Sequence, residues 1–186
     1  MVLILDAKTA LAIEEAVKVL EQGKILIYPT DTVYGIGCDA TSEKAVAKVY
    51  KIKKIAKEKP LSVIVADMDM VKEYCKLNKE QEETIRKKLP GPYTFLLKKK
   101  KEIASSRGNK LGIRIPEDEF CIFLCKRFGK PIVTTSANIT KQKPAHRLDE
   151  VDKKVLESSN LAVDGGETKY KRPSAIIDLV EGKKIR

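Results

Sequence analysis

The chain has 186 residues, 42% hydrophobic and 34% charged, which suits one packed domain and excludes general disorder. Thirty-seven Lys and Arg against 26 Asp and Glu leave a net charge of +11. That excess favours phosphate-bearing partners, although Lys and Glu enrichment is equally a surface bias of heat-adapted proteins.

Helical and extended patterns alternate along the chain. Over residues 8–22, Leu11, Ile13, Ala16, Val17 and Leu20 form one helical stripe, closed by Gly23. KILIY (24–28) reads as a short apolar strand running into Pro29. Ser42 is placed to cap a second helix whose Ala45, Val46, Val49, Tyr50 and Ile52 face inward. LSVIVA (61–66) reads as a strand buried on both faces, and 68–76 and 79–88 as two short helices stopped by Pro90-Gly91-Pro92. TFLLK (94–98) and LGIRI (111–115) are strands around a Lys- and Ser-rich loop, 98–110, with the character of a mobile lid. A helix over 118–128 leads through Gly129 to the strand PIVTT (131–135). A charged helix near 147–157 precedes the strands LAVD (161–164), SAIIDL (174–179) and KKIR (183–186). This order predicts an α/β fold, α+β by strict criteria. We expect a single domain, 1–186, with one twisted mixed sheet flanked by helices.

No apolar run reaches the ~18–20 residues of a membrane span. The start, MVLILDAKTA, lacks a basic leader region, so a cytoplasmic protein without a membrane partner is expected. Cys38, Cys75, Cys121 and Cys125 form no CxxC, and His146 is the only histidine. The cysteines therefore read as buried reduced thiols, with no metal site. GxxxxGK[ST], GxGxxG, GxSxG and HExxH are all absent.

What remains are polar segments at strand ends, where open α/β sheets bind ligands. YPTDTVYGIG (28–37) places hydroxyls, a carboxylate and a phenol before two glycines. KKIAKEKPL (53–61) gathers four lysines before a strand, and LPGPYTF (89–95) is a rigid turn entering another. GIRIP (112–116) sets Arg114 in an apolar strand, where it must be paired or meet an anion. TTSAN (134–138) offers uncharged donors and acceptors, and Asp164-Gly165-Gly166 precedes RPSAII (172–177). Taken singly, each also has an ordinary reading as a turn, a cap, a solvated helix end or a structural ion pair.

In this order and spacing the segments PTDTVYGIG, KxxxxKPLSVIV, PGPYTFLL, GIRIP, TTSAN, DGG and PSAIIDL resemble the YrdC-like family. The resemblance covers nearly the whole chain, ending at Arg186. It implies the YrdC-like fold in its short single-domain form, with a concave basic surface. It also implies an L-threonylcarbamoyladenylate synthase, a nucleotidyltransferase converting L-threonine, bicarbonate and ATP to threonylcarbamoyl-AMP and pyrophosphate. The product would feed the N6-threonylcarbamoyladenosine modification of tRNA through downstream threonylcarbamoyl-transfer enzymes. Mg2+ would arrive with ATP, without a protein cage.

By the same resemblance, Thr32, Tyr34, Arg114, Thr134 and Ser174 bind L-threonine, with Arg114 on its carboxylate. Lys53, Lys59, Lys110, Ser136, Asn138 and Arg186 bind ATP, and Lys53 and Arg114 carry the catalytic charge. The family's KxRP is interrupted here by Ile55 and Ala56, SAN is followed by Ile139-Thr140, and Pro173-Ser174-Ala175 stands for Glu-Ser-Thr. Two other functions suit parts of this pattern. One is a double-stranded RNA or tRNA binder of the same fold without turnover, motivated by KKKK (98–101) and five lysines in 51–59. With six Tyr, four Phe and no Trp, no stacking platform goes with those lysines. The other is the related domain of hydrogenase-maturation carbamoyltransferases, whose zinc-finger companions need Cys pairs that this chain lacks.

Overall fold

In the computed structural model, which describes residues 2–186, Thr9, Ser42, Asp67, Asn78 and Asp118 each open a helix. Each side-chain oxygen accepts a backbone N–H of the first turn. Asn78 and Gln81 complete a reciprocal capping box, and Gly129, at φ +72°, closes the helix begun by Asp118.

The elements in chain order are β1 (Leu3–Asp6), α1 (Ala10–Glu21), β2 (Leu26–Tyr28), β3 (Gly35–Gly37), α2 (Glu43–Lys53) and β4 (Val63–Ile64). Next come α3 (Met68–Tyr74), β5 (Cys75–Lys76), α4 (Lys79–Lys88), β6 (Tyr93–Lys99), β7 (Lys110–Arg114) and α5 (Glu119–Phe128). Then follow β8 (Ile132–Val133), β9 (Thr135–Ser136), a 3-10 turn (Leu148–Glu150), α6 (Lys153–Glu157), β10 (Leu161–Asp164), β11 (Ala175–Asp178) and β12 (Lys183–Lys184). Among the described residues no helix is long and apolar enough to cross a membrane.

The strands form two mixed sheets where one was expected. The first runs β1-β10-β2-β3-β9, parallel from β1 to β2 and antiparallel from β2 to β9. The second runs β12-β11-β6-β7-β4-β8, with β5 beside β6. The chain changes sheets between β8 and β9, so Thr134 sits at the crossing, its N–H on Ser62 O at 2.8 Å.

Strand alternation builds two cores. Ile25 and Ile27 face the core that includes Val46, Val49 and Phe95. Leu26 and Tyr28 face the core formed with Ala16 and Leu20 of α1 and Leu124 and Cys125 of α5. All four cysteines are free and buried, and burial pushes the Cys75 thiol up to about 12.

Three other expectations change. The helix foreseen over 147–157 breaks into a 3-10 turn and α6, because Val151 is extended and Asp152 caps a new start on Lys154 N and Val155 N. β1 was not foreseen: Leu3 and Ile4 are 52% and 51% exposed on the sheet's edge and give no buried run. The loop at 98–110 is tied down. Leu61 N donates to Ser105 O at 2.9 Å, and the buried Lys99 ammonium donates to Ser106 O at 2.8 Å.

At Gly37 the backbone passes so close to β8 that an added Cβ would lie 2.5 Å from Val133 O and 2.8 Å from the Tyr28 ring. Gly37→Ala is therefore expected to lower unfolding stability by roughly 1–3 kcal/mol, read from urea denaturation. An unchanged midpoint would mean that β3 and β8 separate without cost.

Candidate functional site

Tyr28 ends β2 and Pro29 turns the chain, so the next four residues run under the end of β7. Thr30 folds this turn on itself: its hydroxyl donates to Val33 O at 2.7 Å and accepts from Thr32 N at 3.1 Å. The two threonine hydroxyls lie 3.0 Å apart. Thr30 has already given its only proton to Val33, so Thr32 is the donor between them.

Arg114, the last residue of β7, reaches the same turn and is only 3% exposed. Its Nη1 donates to Thr32 Oγ1 at 2.7 Å, its Nε to Gly91 O at 3.3 Å, and its Nη2 to Asp31 Oδ1. The Asp31 side chain is fully buried, and its Oδ2 has no partner. A buried guanidinium needs a counter-ion, and Asp31 is that ion. Three of the five N–H groups are used, which leaves two without a partner among the described residues.

Thr30, Thr32 and Arg114 form one wall of a cavity of about 270 Å³. Thr134, Thr135 and Ser136 arrive from the sheet crossing, Ser62 from just before β4, and Thr94 from β6. Thr94 Oγ1 and Ser174 Oγ are 2.8 Å apart, and Arg186 holds Ser174 O through Nε and Nη2 at 3.1 and 2.9 Å. Burial lowers the pKa of Arg186. The rim is therefore hydroxyl-rich with two guanidinium groups, and no Asp or Glu lines it.

Of the residues singled out in the sequence, the cavity gathers Thr32, Tyr34, Arg114, Thr134, Ser136, Ser174 and Arg186. The Tyr34 hydroxyl is occupied with the Asp164-Gly165-Gly166 turn, donating to Gly166 O at 2.8 Å and accepting from Gly165 N at 3.0 Å. Its burial raises the phenol's pKa well above the ordinary value.

Lys53, Lys59, Lys110 and Asn138 do not line the cavity. Lys53 is 5% exposed and points from α2 into the loop after β9. There its ammonium donates to Ser136 O, to Asn138 O at 2.9 Å and to Asn138 Oδ1 at 3.3 Å. Burial pushes its pKa down to about 8. Asn138 is itself clamped, accepting from Ser136 Oγ and donating to Gln142 O, both at 2.5 Å. Lys59 is exposed, its carbonyl accepting from Tyr50 OH at 2.6 Å. Lys110 starts the strand that Arg114 ends, about 13 Å away at strand spacing, and pairs with Asp178 at 2.7 Å and with Glu181. The hydrogen bond to Asp178 is the main cause of its raised pKa.

The sequence profile Sua5_yciO_yrdC, described as telomere recombination, matches residues 18–186. A protein of Methanocaldococcus jannaschii is 42% identical over 180 residues, 92% of this chain and 86% of that one. The threonylcarbamoyl-AMP synthase of Klebsiella pneumoniae is 35% identical over 181 residues, 94% of this chain and 95% of its own. Among solved structures, P. abyssi Sua5 complexed with L-threonine superposes with a TM-score of 0.91 at 26% identity. The match covers 99% of this chain but spans only 56% of the P. abyssi chain.

Proposed function

The chain belongs to the Sua5/YciO/YrdC family, and from that premise we propose that it is a threonylcarbamoyl-AMP synthase acting on L-threonine, bicarbonate and ATP. Its product would serve N6-threonylcarbamoyladenosine formation in tRNA, in the cytoplasm, through a downstream transfer enzyme. The observation that carries the reading is Arg114: a buried guanidinium, fixed on three sides, at the wall of a hydroxyl-lined cavity.

In the proposed reaction the threonine amine adds to carbon dioxide derived from bicarbonate and loses a proton, giving a carbamate. A carbamate oxygen then bonds to the α-phosphorus of ATP while the bond from that phosphorus to the pyrophosphate oxygen breaks. Such a transfer needs positioning and charge neutralisation more than a protein nucleophile. The remaining N–H groups of Arg114 take the threonine carboxylate, and Thr32, Thr134 and the Thr94–Ser174 pair bound the same pocket. Ser136 and Arg186 face the nucleotide. Lys53 and Asn138 act by shaping the Ser136 loop, and Lys59 and Lys110 contribute from outside the wall. The wall supplies hydroxyls and no carboxylate, so Mg2+ fits this site as an ion carried by the ATP phosphates.

The test is release of AMP and pyrophosphate from ATP with each co-substrate omitted in turn. Release that requires both L-threonine and bicarbonate, and is lost with valine, is the expected result. Release that ignores both would overturn the proposal.

A further inference from the structure

On the face of α2 turned away from the cavity lies a groove of about 510 Å³. Its floor is aliphatic: half-buried Ile52 and Ile139 over Ile25 and Val155, which are each only 1% exposed. Its rim carries Lys48, Lys51 and Lys54 from α2 and its C-cap, and Lys154 from α6, with no Asp or Glu. Lys48 donates to Gly23 O at 2.8 Å. The other three ammonium groups have no hydrogen bond or ion pair among the described residues. Four cations around a floor whose Ile52 and Ile139 are partly exposed are complementary to a partner that is anionic at its edges and apolar along its centre.

The backbone geometry narrows the partner further. Ile25 leads into β2, whose two edges are taken by β10 and β3. The peptide groups of Ile25 are themselves bonded to Asn160, through Oδ1 at 3.0 Å and N at 2.8 Å. No free strand edge lines the groove, so an extended segment would find nothing to pair with. An occupant must satisfy its own backbone, which a helix does. Nucleic acid fits less well, since the lining holds no aromatic side chain on which a base could stack. A phosphate backbone also gains nothing from an aliphatic floor. We propose that this groove docks an acidic amphipathic helix of a partner protein, with its apolar stripe on Ile52 and Ile139 and its carboxylates against the four lysines.

The placement has a further consequence. Ile52 and Ile139 are chain neighbours of Lys53 and Asn138, which bond to each other. A helix seated here therefore touches the back of the loop that carries Ser136. The proposal itself is independent of the reaction assigned above, because its test reads binding.

The probe is a fluorescent peptide of about 18 residues, Leu at helical i, i+3, i+4 and i+7 spacing and Glu elsewhere. A scrambled peptide of identical composition is the control, and fluorescence anisotropy with the full chain is the readout. The expected result is saturable binding of the amphipathic peptide, about tenfold or more tighter than the scramble. The double variant Lys51→Glu/Lys154→Glu should weaken it by about tenfold or more, with an unchanged melting temperature. Ile139→Glu should weaken it as well. Equal binding of the two peptides, no saturable binding, or indifference to the Lys→Glu changes would each overturn the proposal. So would a labelled RNA duplex that binds, is lost with the same substitutions and is not displaced by the peptide.

Discussion

Replacing Arg114 by alanine is expected to raise the KM for L-threonine by about a hundredfold or more, leaving that for ATP within about threefold. The guanidinium is held by Asp31, Thr32 and Gly91, so its freedom is already spent and a substrate carboxylate meets a fixed partner. The same change strands the Asp31 carboxylate, which is fully buried and already has one oxygen without a partner. Breaking a buried pair from one side costs about 3–5 kcal/mol, so the single variant should also melt earlier. Asp31→Ala combined with Arg114→Ala separates the two effects. Removing both charges should restore much of the stability, while threonine affinity stays lost. Steady-state kinetics with each substrate varied, beside thermal melts, decides the matter. Equal rises in both KM values, or a double variant that regains threonine affinity, would refute the carboxylate role of Arg114.

Lys53→Met should lower unfolding stability by roughly 1–3 kcal/mol, because Asn138 O loses its donor while Ser136 O and Asn138 Oδ1 are left with Asn138 N and Ser136 Oγ alone. ATP affinity should fall with it, since Ser136 is positioned by that segment. In the unaltered chain the ammonium titrates near 8, below its ordinary 10.5. The sign follows from proton linkage. Between those values the unfolded chain holds a proton that the folded chain has shed, so this lysine's contribution to global stability rises with pH across that window. The ammonium that organises the loop is lost over the same window. ATP affinity should therefore be flat below pH 8 and fall by up to about tenfold per unit above it, while stability moves the other way. Titrations of ATP binding from pH 6.5 to 9.5 on both proteins check this. A native chain whose affinity stays flat throughout would show that the charge on Lys53 does not matter.

Much of this architecture is legible in the sequence because helices advertise themselves. Ser42 does cap α2, and LAVD is β10 to the residue. Strands made of few or small residues do not. β3 is Gly35, Ile36 and Gly37, with the composition of a turn, and β5 is only Cys75 and Lys76, which read as the end of the preceding helix. That the strands divide into two sheets depends on pairings distant in sequence, such as Leu3 with Leu161, which no local pattern encodes. Within the site, the apolar strand around Arg114 marks it as a residue that must be paired or meet an anion. The identity of that anion, Asp31, sits 83 residues away. Thr30 and Thr135 lie in singled-out segments without a role of their own, and Ser62 and Thr94 line the cavity unannounced, since a single Ser or Thr gives no signal of where it points. Lys53 drew notice as one cation in a basic run, yet its surroundings are carbonyl oxygens.

The hydrogen bonds beneath the cavity have a direction: Arg114 to Thr32, Thr32 to Thr30, Thr30 to the carbonyl of Val33. The proton of each threonine hydroxyl is committed downstream, so Thr32 presents the cavity with a lone pair and never with a hydrogen. This corner of the pocket is an obligate acceptor, and any ligand atom resting there has to bring the proton. A ligand group that lacks one leaves that lone pair buried and empty, and a site built to receive a donor discriminates strongly against analogues that have none. Thr32→Val would erase the polarity of this corner while keeping its shape, turning a filter for chemistry into one for size alone.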